Sequence, residues 1–130
     1  GVPTDKTNWD AVFQRIKAEG FDGVEAITLG WREDPDLFCE LLRKHDLELI
    51  CQLHTTGGDL DSSGNYEYLT SLDPADHLAS LNTLVEEAKA LNPVLINVHS
   101  GHDSWTVDAA VDYFRDALAI EARHGVTMVH

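Results

Sequence analysis

The sequence predicts an α/β fold in which parallel strands alternate with helices. Three observations carry this. Short apolar runs of strand length recur along the chain, stretches with helical period separate them, and three of the runs end on a histidine. Those runs are Glu48-Leu49-Ile50-Cys51-Gln52-Leu53-His54, Val94-Leu95-Ile96-Asn97-Val98-His99 and Val126-Thr127-Met128-Val129-His130. Parallel strands joined by helices bring their carboxyl ends to one rim, and ligands bind at that rim. Three strand-final imidazoles in successive units are therefore read as side chains converging on one site.

Thr7 to Glu19 reads as the first helix, with Trp9, Val12, Phe13 and Ile16 on one face and Thr7 or Asn8 as its cap. Gly20 supplies its stop. Phe21 to Ile27 follows as a short strand. Glu33 to His45 is the second helix, begun by Asp34-Pro35, with Leu37, Phe38, Leu41 and Leu42 inward. Leu47 to Leu53 is a near-continuous apolar run, the pattern of a parallel strand covered on both faces. Thr55 to Ser71 has no period and reads as a long loop over the rim, with a short turn of helix near Tyr68. Asp73 to Leu91 is a long helix whose stripe is Leu78, Leu81, Leu84, Val85, Ala88 and Leu91. The strand Val94 to His99 comes next, then the rim loop Ser100 to Trp105. Thr106 to His124 is the last helix, with Val107, Ala110, Val111, Phe114, Leu118 and Ile120 or Ala122 expected inward. Gly125 stops it, and Val126 to Val129 begins a fourth strand.

Composition narrows the function classes. At 130 residues one domain, 1–130, is expected, and 43% hydrophobic residues suffice for a core. No apolar run reaches the ~18 residues of a membrane span, and no signal peptide is visible at Gly1-Val2-Pro3-Thr4-Asp5. A cytoplasmic enzyme is the expectation. The net charge of −14 repels phosphate backbones and disfavours nucleic-acid binding. Cys39 and Cys51 lack a CxxC partner, so they read as reduced, buried thiols and not as a zinc site.

Among the candidates, His54 and His99 lead. An imidazole at a strand end can ligate a divalent metal or hydrogen-bond a substrate hydroxyl, and the ordinary alternative is a core histidine satisfying a carbonyl. Their repetition in successive units favours the site. His130 and the loop residue His102 are open between site and surface. His45 and His124 complement helix C-termini, and His77 reads as exposed near a helix start. Glu25, a carboxylate in an apolar strand, needs pairing or hydration; it can position a hydroxyl, orient a histidine or act as a base. Trp31 and Trp105 in rim loops can wall a sugar ring or simply pack their loops. Arg32 offers a weak anion contact, and Asp59 and Asp61 read as solvated.

These phrases resemble the xylose-isomerase-like TIM-barrel superfamily, the sugar isomerases and epimerases. The resemblance runs through the whole chain on Gly20-Phe21-Asp22-Gly23-Val24-Glu25, Leu53-His54-Thr55, Ile96-Asn97-Val98-His99-Ser100-Gly101 and the closing Gly125 to His130. It implies a partial (β/α)8 barrel made of the second to fifth strands with their helices, acting on a sugar or sugar acid by proton transfer next to a carbonyl. It also implies a divalent metal (Mn, Mg, Co or Zn) whose main ligands lie beyond His130. His54, His99, Glu25, Trp31 and Trp105 are then substrate-side residues. The related apurinic endonuclease family places zinc ligands at the positions of His54 and His99, but it needs a basic DNA-binding face. A complete barrel takes ~250 residues, so the chain is expected to be part of a longer one, to pair with a second copy, or to be covered by a partner; the last two leave a non-catalytic half-barrel as a further alternative.

Overall fold

A computed structural model describes residues 5–56 and 71–130. The long loop expected after His54, with Asp59, Asp61 and the turn near Tyr68, falls almost wholly outside them. A 3-10 turn, Lys6–Asn8, opens helix α1, Trp9–Ala18. Its cap is Asp5, whose carboxylate accepts from the Thr7 amide. Strand β1 is Gly23–Ile27, followed by a one-turn helix α2, Thr28–Trp31, which the sequence pattern does not announce. Asp34 accepts from the Leu37 amide and starts α3, Pro35–Lys44. Then come β2, Glu48–His54; α4, Pro74–Lys89, capped by Asp73; β3, Leu95–His99; α5, Val107–His124, capped by Thr106; and β4, Met128–Val129.

The four strands form one parallel sheet in the order β1-β2-β3-β4. Each strand lies beside its successor, so with right-handed crossovers every helix falls on the same face. Burial agrees. Val24, Ala26, Leu49, Cys51, Leu53, Ile96, Val98 and Met128 alternate along their strands and share one core with the helices. Within it Phe38 meets Trp9 and Phe13 edge-on at 5.1 and 5.2 Å. Each such buried side chain contributes about 1.5–3 kcal/mol. Close strand approach fixes Gly23: a Cβ there would lie 2.6 Å from the Glu48 carbonyl oxygen.

The expectation of strands covered on both faces is corrected. The second face of the sheet carries Glu25, Ile50, Gln52, His54, Asn97 and His99, all half-buried or exposed. Polar residues gather on that face toward the strand ends, at Glu25, Gln52, His54, Asn97 and His99, with Ile50 between them, and among the described residues the helices cover only the other face.

The face of α5 is corrected too. Tyr113, Ala117 and Ile120 are its buried residues, while Val107, Val111, Phe114 and Leu118 point outward. Both sets recur at helical spacing, and the one with smaller and aromatic members fits against α4 and the sheet. Among the described residues no helix is long and apolar enough to cross a membrane.

Candidate functional site

The second face of the sheet builds the site from its register. His54 on β2 and His99 on β3 are direct register partners, and so their rings stack at 4.4 Å with planes 12° apart. Gln52 and Asn97, one pleat below, are also partners. Gln52 Nε2 donates to His99 Nε2 at 2.9 Å. An amide nitrogen can only donate, so the His99 proton sits on Nδ1. Asn97 Nδ2 donates to Glu25 Oε1 at 2.8 Å, reaching over β2 to β1. Burial and then the neighbouring His99 push the His54 imidazole below its ordinary pKa, which favours its neutral form.

His130 closes the rim at β4. Its Nδ1 lies 2.8 Å from Ser100 Oγ, the residue after His99, and its ring meets Phe114 edge-on. Burial lowers its pKa, with Glu121 opposing. The expected convergence of three strand-final histidines is corrected: His54 and His99 share the polar face, whereas Val129 pairs with Asn97 and the next residue, His130, turns to the helix side, against Phe114 of α5.

Beneath the rim lies a buried polar layer. Thr55 and His77 are both fully buried, which corrects the expectation that His77 is exposed. The Thr55 hydroxyl is 2.9 Å from His77 Nδ1, and His77 Nε2 is 3.0 Å from the Ser71 carbonyl. The buried Tyr113 hydroxyl, raised in pKa by burial, lies toward Ser100 and Thr55 without a hydrogen bond of good geometry.

The other candidates fall away from the site. Trp31 is 2% exposed in the core, so it cannot wall a ligand; its indole nitrogen has no hydrogen-bond partner among the described residues. Trp105 packs the loops: its Nε1 donates to the Leu72 carbonyl and its ring meets His77 and Tyr113. Gly101, at φ 83°, sits where a Cβ would lie 2.9 Å from the Trp105 ring. Arg32 pairs with Glu87 of α4 at 2.8 Å. His102 bonds within its own loop to Ser104. His45 pairs with Asp10 and His124 with Asn82, both joining helices. Cys51 is pushed up to about 12 by burial and supplies no thiolate.

Gln52, Asn97 and Thr55 are the residues of this candidate site that the sequence reading passes over. The signal was there: Gln52 and Asn97 each stand two residues before a strand-final histidine and so share its face.

A divalent metal does not fit the described donors. No group of three His, Cys, Asp or Glu side chains converges among them. The stacked His54 and His99 rings present faces to each other, and Glu25 is engaged by Asn97. Among the described residues, a cavity of about 420 Å³ lies beside α1 and β1 and is lined in part by Glu25, and one of about 400 Å³ lies below α3 and α4; neither is lined by His54 or His99. Comparison with protein-family models, with curated proteins and with solved structures gives no match.

Proposed function

We propose that this chain supplies the substrate-facing side of a sugar or sugar-acid isomerase or epimerase of the xylose-isomerase-like kind, built on a (β/α)8 barrel and working in the cytoplasm. One observation carries the reading most: a singly wound parallel sheet turns Glu25, Gln52, His54, Asn97 and His99 onto the face opposite its helices. In a closed barrel that face is the interior, and its carboxyl end is where chemistry occurs.

The residues suit polyol recognition. His54, favoured in its neutral form, offers both a donor and an acceptor to hydroxyl groups. His99 offers Nδ1–H while Gln52 holds its other nitrogen. Glu25, oriented by Asn97, accepts from a sugar hydroxyl. Isomerisation moves a proton beside a carbonyl, through an enediolate. A divalent ion in such enzymes stabilises the enediolate charge. Its ligands are expected from residues other than those described.

Solvent exchange tests the reading. Incubation with Mg²⁺ or Mn²⁺ and a panel of aldoses, ketoses and sugar acids in D₂O is expected to place deuterium on the carbon next to the carbonyl. His99→Ala is expected to cut that uptake at least tenfold while leaving circular dichroism unchanged. Cleavage of abasic DNA with two or three bound zinc ions, and no deuterium uptake, replaces this reading with the endonuclease one.

A further inference from the structure

We infer that His77, acting through Thr55, is a positioning residue that sets the His54–His99 pair. Thr55 follows His54 directly. Its amide donates to the His99 carbonyl at 3.0 Å, and its hydroxyl oxygen accepts from the Gly101 amide at 3.3 Å. One residue therefore joins the ends of β2 and β3, where the two imidazoles sit.

The direction of the hydrogen bonds follows from chemistry. The Ser71 carbonyl can only accept, so His77 Nε2 carries the proton. In the neutral ring Nδ1 is then an acceptor, and at 2.9 Å it takes the Thr55 hydroxyl proton in preference to the His99 carbonyl, the other acceptor in reach at 3.4 Å. The Thr55 lone pairs stay free for the Gly101 amide. A single chain results: Gly101 N–H to Thr55 Oγ1–H to His77 Nδ1, and His77 Nε2–H to the Ser71 carbonyl. Trp105 closes it edge-on against the His77 ring at 5.0 Å and bonds the Leu72 carbonyl next to Ser71. The chain pins four segments at once: both histidine-bearing strand ends, the approach to α4 at Ser71 and Leu72, and the loop after β3.

Neither Thr55 nor His77 reaches the surface, so neither touches a ligand in this arrangement. Their effect on the site passes through the His99 and Gly101 backbone. The importance of that geometry rests on reading His54 and His99 as substrate-facing. The test is taken without substrate, so it stands or falls separately from any isomerase activity.

Long-range nitrogen–proton correlation spectra of the histidine rings provide the test. In the unaltered protein at neutral pH, His77 is expected as a single Nε2–H tautomer. Thr55→Val, which keeps the shape and removes the hydroxyl, is expected to shift the His54 and His99 ring signals and to weaken their ring-to-ring Overhauser contacts. Thr55→Ser is expected to restore both. Leu84→Ala serves as a control for general loosening and should leave the two rings unmoved. An Nδ1–H tautomer at His77 overturns the inference even if Thr55→Val fails to fold. Unmoved rings in a folded Thr55→Val protein, or a Thr55→Ser protein that behaves like Thr55→Val, overturn it as well.

Discussion

Asn97 on β3 holds the Glu25 carboxylate on β1 at 2.8 Å, over the intervening strand β2. Neighbouring strands lie about 4.8 Å apart, so two side chains that meet across a third strand must lean toward each other. That suits a sheet curling toward its polar face. The sequence leaves Glu25 open between positioning a hydroxyl, orienting a histidine and acting as a base. Its partner is an amide, not a histidine, which leaves one carboxylate oxygen for a ligand.

Asn97→Ala should therefore cost binding more than folding. The pair lies on an accessible face, so stability is expected to change by less than about 0.5 kcal/mol. Loss of the oriented carboxylate is expected to weaken sugar binding about tenfold, or about 1.4 kcal/mol. Calorimetric titration beside urea unfolding separates the two quantities. A large stability loss with intact binding would assign the pair to the fold alone.

His77→Leu should be costly to the fold. It takes the partner from the Ser71 carbonyl and leaves the buried Thr55 hydroxyl only the longer bonds to the Gly101 amide and the His99 carbonyl, and losing such buried bonds costs about 1–3 kcal/mol each. A loss of about 3 kcal/mol in urea unfolding is expected. A loss below about 1 kcal/mol contradicts the buried network.

Stability should depend on pH through His54 and His130. Both have folded pKa values below the ordinary histidine value, chiefly because of burial. The unfolded chain then binds protons first on acidification. Their contribution is complete above about pH 6.5 and is lost as pH falls from there toward the lowered folded values. Urea midpoints measured between neutral pH and pH 5 should fall, and His54→Gln should flatten that fall. Equal slopes in the two proteins rule out His54 as a contributor.

The two sides of α5 give opposite expectations. Leu118→Glu, on the outward stripe, should change stability by no more than about 0.5 kcal/mol. Ala117→Leu, on the fully buried side, should cost about 1–3 kcal/mol by overpacking. Thermal unfolding of the two variants checks the assignment, and a reversed order restores the face that the sequence pattern suggests.

Much of this was legible in the residues. The alternation of helix and strand, the Asp34-Pro35 and Asp73-Pro74 starts, and the placement of His54 beside His99 all follow from local patterns. What was not legible depends on tertiary contact. The α5 sequence carries two apolar stripes, and periodicity alone does not say which one meets the sheet. His77 looks like a surface residue because its partners, Thr55 and Ser71, are distant from it in sequence or belong to a loop. Trp31 looks like a rim aromatic because the extra turn α2, which carries it into the core, has no sequence signature. The one-sided sheet was readable from Gln52 and Asn97, whose polarity interrupts otherwise apolar strands.

The most direct test of the polar face is amide and ring-nitrogen shift mapping while pentoses, hexoses and their acids are titrated in the presence of Mg²⁺. Saturable shifts at Glu25, Gln52, His54, Asn97 and His99, with α5 and the helix face silent, are expected for at least one sugar class. Shifts confined to the groove lined by Val12, Ile16, Phe21 and Glu25, with Gln52, His54, Asn97 and His99 silent, or none with any sugar, would contradict the assignment of this face as the substrate site.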